Sequence, residues 1–188
     1  MSTDNMIPAP KGAPIHFGPF VVTSQVFYQT ALTIALVNLK PILPGHVLVS
    51  PRRVVPRIHD LTPAETSDLF QTVRRVGRMI ERVYDASSLN VAVQDGADAG
   101  QSVPHVHAHV IPRRRLDLPT TDAVYELLDG DEGDLRRAFG VLRDDGTEER
   151  RRSRFPAVDD GERTPREMEE MEDEAARLAR EMEGEPVD

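Results

Sequence analysis

The sequence predicts an α+β fold: an antiparallel sheet of about five strands, one helix packed on it, and a C-terminal helix. Three observations lead there. Short runs rich in Val, Ile, Leu and aromatic residues recur between turn residues from Phe17 onward. One capped amphipathic segment interrupts them at residues 62–84. A second amphipathic segment follows a long stretch without periodicity, at residues 164–183.

Residues 1–14 contain three prolines and little apolar content, which predicts a mobile start. A compact domain is expected over residues 15–116. Its first strands are Phe20-Val21-Val22, Val26-Phe27-Tyr28 and Leu32–Val37. Pro41, Pro44 and Gly45 mark a turn, and His46–Ser50 is the next strand. Thr62-Pro63-Ala64-Glu65 combines an N-cap, a proline at the first helical position and a capping-box glutamate. Leu69, Val73, Val76, Ile80 and Val83 then recur at steps of three and four, so the helix reaches about Tyr84. Leu89–Val93 is a strand, Asp95–Gly100 a glycine-bearing loop, and His105–Ile111 a strand antiparallel to Leu89–Val93. Residues 117–163, dominated by Asp, Arg and Gly, read as a loop or disordered linker. Met168, Met171, Ala175, Leu178 and Met182 then form the stripe of the last helix, a packing face.

Composition narrows the chemistry. The 188 residues include no cysteine, which excludes disulfides, thiolate nucleophiles and cysteine-based zinc sites. No apolar run approaches the length of a membrane span and no secretory leader pattern opens the chain, so a cytoplasmic or nuclear protein with no membrane partner is expected. Net charge is divided. Residues 1–115 carry 12 Lys/Arg against 8 Asp/Glu, a net +4, whereas residues 116–188 carry 11 against 24, a net −13. The mildly basic half suits an anionic substrate. The acidic half resembles a solvating tail, and no nucleic-acid partner is expected.

The basic half also holds the run Pro104-His105-Val106-His107-Ala108-His109-Val110-Ile111, with three of the six histidines within five positions. A strand alternates its side chains, so this run is expected to present His105, His107 and His109 on one face. Gly100-Gln101-Ser102-Val103 precedes it and offers backbone N–H groups, an amide and a hydroxyl suited to phosphate oxygens. Arg52-Arg53 and Arg113-Arg114-Arg115 lie at strand ends and are expected at the solvated surface. A neutral imidazole attacks phosphorus as a nucleophile, and it also ligates zinc or a similar ion. Spacing alone leaves both chemistries open.

Gly100-Gln101-Ser102-Val103-Pro104-His105-Val106-His107-Ala108-His109-Val110 resembles the signature of the histidine triad superfamily of nucleotide hydrolases and transferases. Three further stretches are similar to its Fhit-like branch, the dinucleoside triphosphate hydrolases: Ala35–Pro41 with Pro44–Val49, Asp68–Gly77, and Gln94-Asp95-Gly96. The purine phosphoramidase branch usually has Asn where Gln94 stands and a different pair near Asn38. The resemblance implies hydrolysis of dinucleoside polyphosphates, chiefly diadenosine triphosphate to AMP and ADP, through a nucleotidyl-histidine. It implies His107 as the nucleophile, with its ring oriented by the His105 carbonyl. His109 would contact phosphate and His46 would support the triad. Asn38 would contact ribose, and Gln94, Gly100, Gln101, Ser102 and Val103 the phosphates or bridging oxygen. Mg²⁺ or Mn²⁺ would arrive bound to substrate phosphates rather than held by protein side chains. A homodimer is implied as well. Tyr125 matches a family tyrosine in a loop near the site, with either a substrate-proximal or a merely exposed role. Two other functions stay open: a nucleotide-binding signalling module whose substrate complex is the active species, and an adenosine phosphoramidase.

Overall fold

The computed structural model describes residues 13–128 and 166–187. Residues 1–12 and 129–165 lie outside them, and so do the expectations for most of the N-terminal segment and linker. The described chain opens with a small hairpin, β1 (His16–Phe17) and β2 (Phe20–Val21). Gly18 turns it with a φ of 54°, a left-handed conformation that suits glycine.

The main sheet contains β3 (Val26–Gln29), β4 (Thr33–Val37), β5 (Val47–Pro51), β6 (Ser88–Val93) and β7 (Ala108–Arg113). Their spatial order is β3-β4-β5-β7-β6, and every neighbouring pair is antiparallel. β7 is therefore an interior strand. His109 lies opposite Leu48 on β5 and Ala92 on β6, while Ala108 lies opposite Val49 and Val93. Cross-strand partners share a face, so His109 projects from one side of the sheet and Ala108 and Val110 from the other.

Helix α1 (Pro63–Tyr84) starts where its local chemistry predicts. Thr62 accepts from the Glu65 N–H at 3.2 Å, and the Glu65 carboxylate accepts from the Thr62 N–H at 2.8 Å. Arg53 grips the same carboxylate through two bonds of 2.8 and 2.7 Å. That guanidinium, with the Thr62 N–H, holds the Glu65 carboxyl down at about 2. The helix buries Leu69, Val73, Val76, Met79 and Ile80 and packs on β4, β5 and β7. Each such side chain contributes about 1.5–3 kcal/mol by leaving water. Helix α2 (Met168–Glu183) buries Met171, Ala175, Leu178 and Met182 against β3, β4 and α1, so these positions of the expected stripe form a packing face, whereas Met168 is exposed. Arg82 of α1 pairs with Glu181 of α2 at 2.6 Å.

Four expectations need correction. The histidine strand begins only at Ala108. Its partner β5 ends at Pro51, which has no N–H to extend the ladder. His105–His107 instead make substitute bonds: Val106 N–H to Val55 O at 2.8 Å, and Ser50 Oγ to Val106 O at 2.7 Å. Second, residues 117–128 continue the folded body beyond the expected boundary at 116. They include a helical segment over 123–128 whose Val124 and Leu128 bury against Ile42 and Ile111. Third, α2 begins at Met168 with Glu167 as its N-cap, four residues after the expected start. Fourth, Arg113 is buried, whereas Arg52, Arg53, Arg114 and Arg115 are exposed as expected. Arg113 is 8% exposed and forks onto Asp117 at 2.9 and 3.0 Å.

Candidate functional site

Four histidines are buried together: His46 from the start of β5, His105 and His107 from the segment before β7, and His109 from β7 itself. The protonation pattern follows from their backbone partners. His105 Nδ1 accepts the Gly18 N–H at 3.0 Å, so its proton sits on Nε2, which donates to Pro51 O at 2.8 Å. Burial pushes the His105 imidazole down to about 4, which keeps it neutral. Phe17 stacks on this ring at 5.4 Å and meets the His107 ring edge-on at 5.0 Å. The β1–β2 hairpin thus holds the first histidine by one amide and one aromatic face.

His107 donates from Nδ1 to the His105 carbonyl at 2.7 Å, which leaves the lone pair on Nε2. The other two rings form a relay. Ile42 N–H donates to His46 Nδ1 at 3.1 Å, so His46 carries its proton on Nε2. That nitrogen donates to His109 Nδ1 at 2.9 Å, which puts the His109 proton on Nε2. The His107 and His109 rings lie 5.0 Å apart. The pair therefore presents one nitrogen lone pair and one N–H donor side by side. A lone-pair nitrogen beside an N–H donor suits attack on an electrophilic phosphorus with protonation of its leaving oxygen. Among the described residues, no group of three or more His, Asp or Glu is placed to hold a metal ion.

The loop between β6 and β7 is built to be rigid. Asp95 accepts the Ile58 N–H at 2.8 Å and pairs with Arg57 at 3.2 Å, and both hold its carboxyl below the ordinary range. Gly96, at φ 108°, lets the Arg57 guanidinium pack where a side chain would stand. Its carbonyl accepts the N–H groups of Ala99 and Gln101 at 3.0 and 3.1 Å. Gln101 in turn donates from Nε2 to Pro56 O at 2.9 Å.

The HIT domain family model matches residues 20–116. This chain belongs to the HIT family. It is 52% identical to the bis(5'-nucleosyl)-tetraphosphatase [asymmetrical] of Schizosaccharomyces pombe, over 86% of this chain and 90% of that protein. It is 44% identical to the bifunctional bis(5'-adenosyl)-triphosphatase/adenylylsulfatase of Arabidopsis thaliana, over 85% of this chain and 79% of that one. Among solved structures it resembles the Caenorhabditis elegans NitFhit protein, with 43% identity and a TM-score of 0.56 over 69% of this chain. The match spans about a third (31%) of the NitFhit chain.

The HIT pattern in the sequence brought the four histidines together as expected, although only His109 of the triad lies on a strand. Asn38 is 2% exposed, with Nδ2 at 3.3–3.4 Å from the His46 ring nitrogens and Oδ1 accepting the Lys40 N–H at 3.2 Å. Gln94 is buried, one residue beyond the Val93–Ala108 pair, and so sits level with His107. Gly100, Gln101 and Ser102 are half-buried at the rim, and Val103 is buried against Gly18. Tyr125, His16 and His59 are exposed. Sequence reasoning missed Phe17, Gly18, Ile42, Pro51 and Val55. Four of the five act on the triad through backbone groups, which leave no mark in a residue pattern. Only Gly18, followed by Pro19, carried a usable turn signal.

Proposed function

We propose that this protein hydrolyses dinucleoside polyphosphates by nucleotidyl transfer to His107. The observation that carries the reading is the His107 Nδ1–H to His105 O bond of 2.7 Å, because it fixes the nucleophilic lone pair on Nε2. In the first step Nε2 forms a bond to the α-phosphorus, and the bond from that phosphorus to the bridging oxygen breaks. The leaving oxygen takes the proton from His109 Nε2, the end of the His46 relay. The nucleotidyl-imidazole retains its Nδ1 proton, whose positive charge is stabilised by the His105 carbonyl. Water then attacks phosphorus and releases the mononucleotide, restoring both histidines.

In this reading the loop Gly100–Val103, with Gln94, receives phosphate oxygens through groups other than the Gly100 and Gln101 N–H, which donate to Ala97 O and Gly96 O, and Asn38 meets the ribose. The divalent cation, Mg²⁺ or Mn²⁺, belongs to the substrate's phosphates, and the protein adds no ligand of its own. The edge strand β6, with Val91 exposed, supports pairing with a second copy as a homodimer. The names of the S. pombe and A. thaliana relatives differ in phosphate number, so chain length is the open variable in the substrate.

The test is product chromatography with diadenosine triphosphate, diadenosine tetraphosphate, adenylyl sulfate and an adenosine phosphoramidate. AMP is expected from at least one dinucleotide, with a protein-bound nucleotide trapped on acid quench. His107→Asn is expected to lose turnover by at least a thousandfold while still binding the dinucleotide. Cleavage of the phosphoramidate alone would overturn the reading.

A further inference from the structure

Resting on the function proposed above, we propose that Arg166 is a positioning residue of the histidine site. It clamps the turn that carries His46 and so sets the His46–His109 relay. Arg166 lies 128 residues from Asn38 in sequence, yet its Nε donates to Asn38 O at 3.1 Å and its Nη2 donates to the same oxygen. The Arg166 N–H also donates to Leu39 O at 3.0 Å. Three bonds thus fix two consecutive carbonyls at one end of the turn 38–46.

The remaining arm of the guanidinium ties this clamp to α2. Arg166 Nη1 binds Glu174 Oε2 at 2.5 Å, and both side chains are largely buried. Glu174 Oε1 accepts from the Tyr84 hydroxyl at 2.5 Å, with the Arg177 guanidinium over the Tyr84 ring. The Tyr84 ring closes the circuit at the other end of the turn. Gly45, at φ 88°, packs so tightly on it that an added Cβ would lie 2.5 Å from the ring. Gly45 is the residue before His46. One network of Arg166, Glu174 and Tyr84 therefore grips the turn at Asn38-Leu39 and at Gly45. Between those grips lie the Ile42 N–H that sets the His46 tautomer and the Asn38 amide against its ring. A relay that depends on a 2.9 Å ring-to-ring bond loses directionality when its supporting turn loosens.

The experiment compares the full chain with Arg166→Ala, Arg166→Lys, Glu174→Gln, His46→Ala and the double variant Arg166→Ala/His46→Ala. Turnover of diadenosine triphosphate and tetraphosphate is read beside ¹H–¹⁵N spectra of the histidine ring nitrogens. Arg166→Ala is expected to lower kcat about tenfold with KM changed less than threefold. In the His46→Ala background the same change is expected to cost less than twofold, since two residues acting on one path are not additive. The spectra are expected to show His46 as the Nε2–H tautomer in the parent and as a mixture in Arg166→Ala. Arg166→Lys, which keeps a donor for Asn38 O, recovers part of the loss. Glu174→Gln leaves the Asn38 contacts in place and gives a two- to threefold loss should Arg166→Ala fold poorly. Equal losses in both backgrounds, or an unchanged His46 tautomer, would overturn the proposal. A parent that cleaves no dinucleotide overturns the function reading instead, and the ring spectra still decide the clamp.

Discussion

Acidification tests the site through His105. Its ring is neutral in the folded protein down to a pKa of about 4, against 6.5 for the ordinary imidazole, because burial disfavours the cation. Below pH 6.5 the unfolded chain takes up this proton, and the folded chain does not until pH approaches 4. Stability is therefore complete above pH 6.5 and falls at up to about 1.4 kcal/mol per pH unit below it. The integrated loss is about 2.5 kcal/mol at pH 4.5 and about 3 kcal/mol once both states are protonated. Glu65, held at about 2, adds its own loss only below its ordinary 4.5, so the interval from pH 6.5 to 4.5 isolates the histidine. The comparison is with His105→Asn, which keeps an acceptor for the Gly18 N–H but abandons Pro51 O. At pH 7.5 it should be less stable by at least the 1–3 kcal/mol of a buried unsatisfied group, about the range for one lost partner. Urea unfolding at pH 7.5, 6.5, 5.5 and 4.5 should show the gap between the two proteins narrowing by about 2.5 kcal/mol. The other buried histidines occur in both proteins and cancel in the difference. A gap that stays constant across this range would refute the account of His105 as a neutral, desolvated ring.

Two further outcomes follow from packing. Gly45→Ala combines a left-handed φ of 88° with a Cβ that meets three atoms of the Tyr84 ring within 2.8 Å, and should cost about 2–4 kcal/mol in urea unfolding. Leu178→Ala removes a fully buried side chain from α2 and should cost about 2–5 kcal/mol in a single transition. A separate early transition of α2 would instead show that the helix is not part of the cooperative unit.

The parts of the fold that were legible are those whose causes are local. Thr62, Pro63 and Glu65 lie within four residues and specify the start of α1 among themselves, and the structure reproduces that start to the residue. The largely apolar runs Thr33–Val37 and Val47–Pro51 likewise report strands buried on both faces. Arg113 failed for the opposite reason. Three consecutive arginines at a strand end look solvated, and only the return of Asp117 and the packing of 123–128 bury the first of them. The start of α2 was misplaced because Glu167 and Glu170 form its capping box.

The histidine site divides along the same line. Alternation brought His107 and His109 side by side, and that much is written in the spacing. It does not say which nitrogen of each ring holds the proton, and the chemistry depends on that choice. The choice is made by the N–H groups of Gly18 and Ile42 and the carbonyls of Pro51 and His105. Every residue except proline has such an N–H, so the identity of residue 18 or 42 conveys nothing about its role. What identity does govern is whether the turn delivers the group to the ring: glycine at 18 for its positive φ, glycine at 45 for its contact with Tyr84. Two neutral histidines, 46 and 105, are thus held in fixed and complementary roles by backbone geometry. In the proposed reaction His46, by donating from Nε2, fixes the tautomer of the acid at His109, and His105 supplies the carbonyl that would aim the nucleophile at His107.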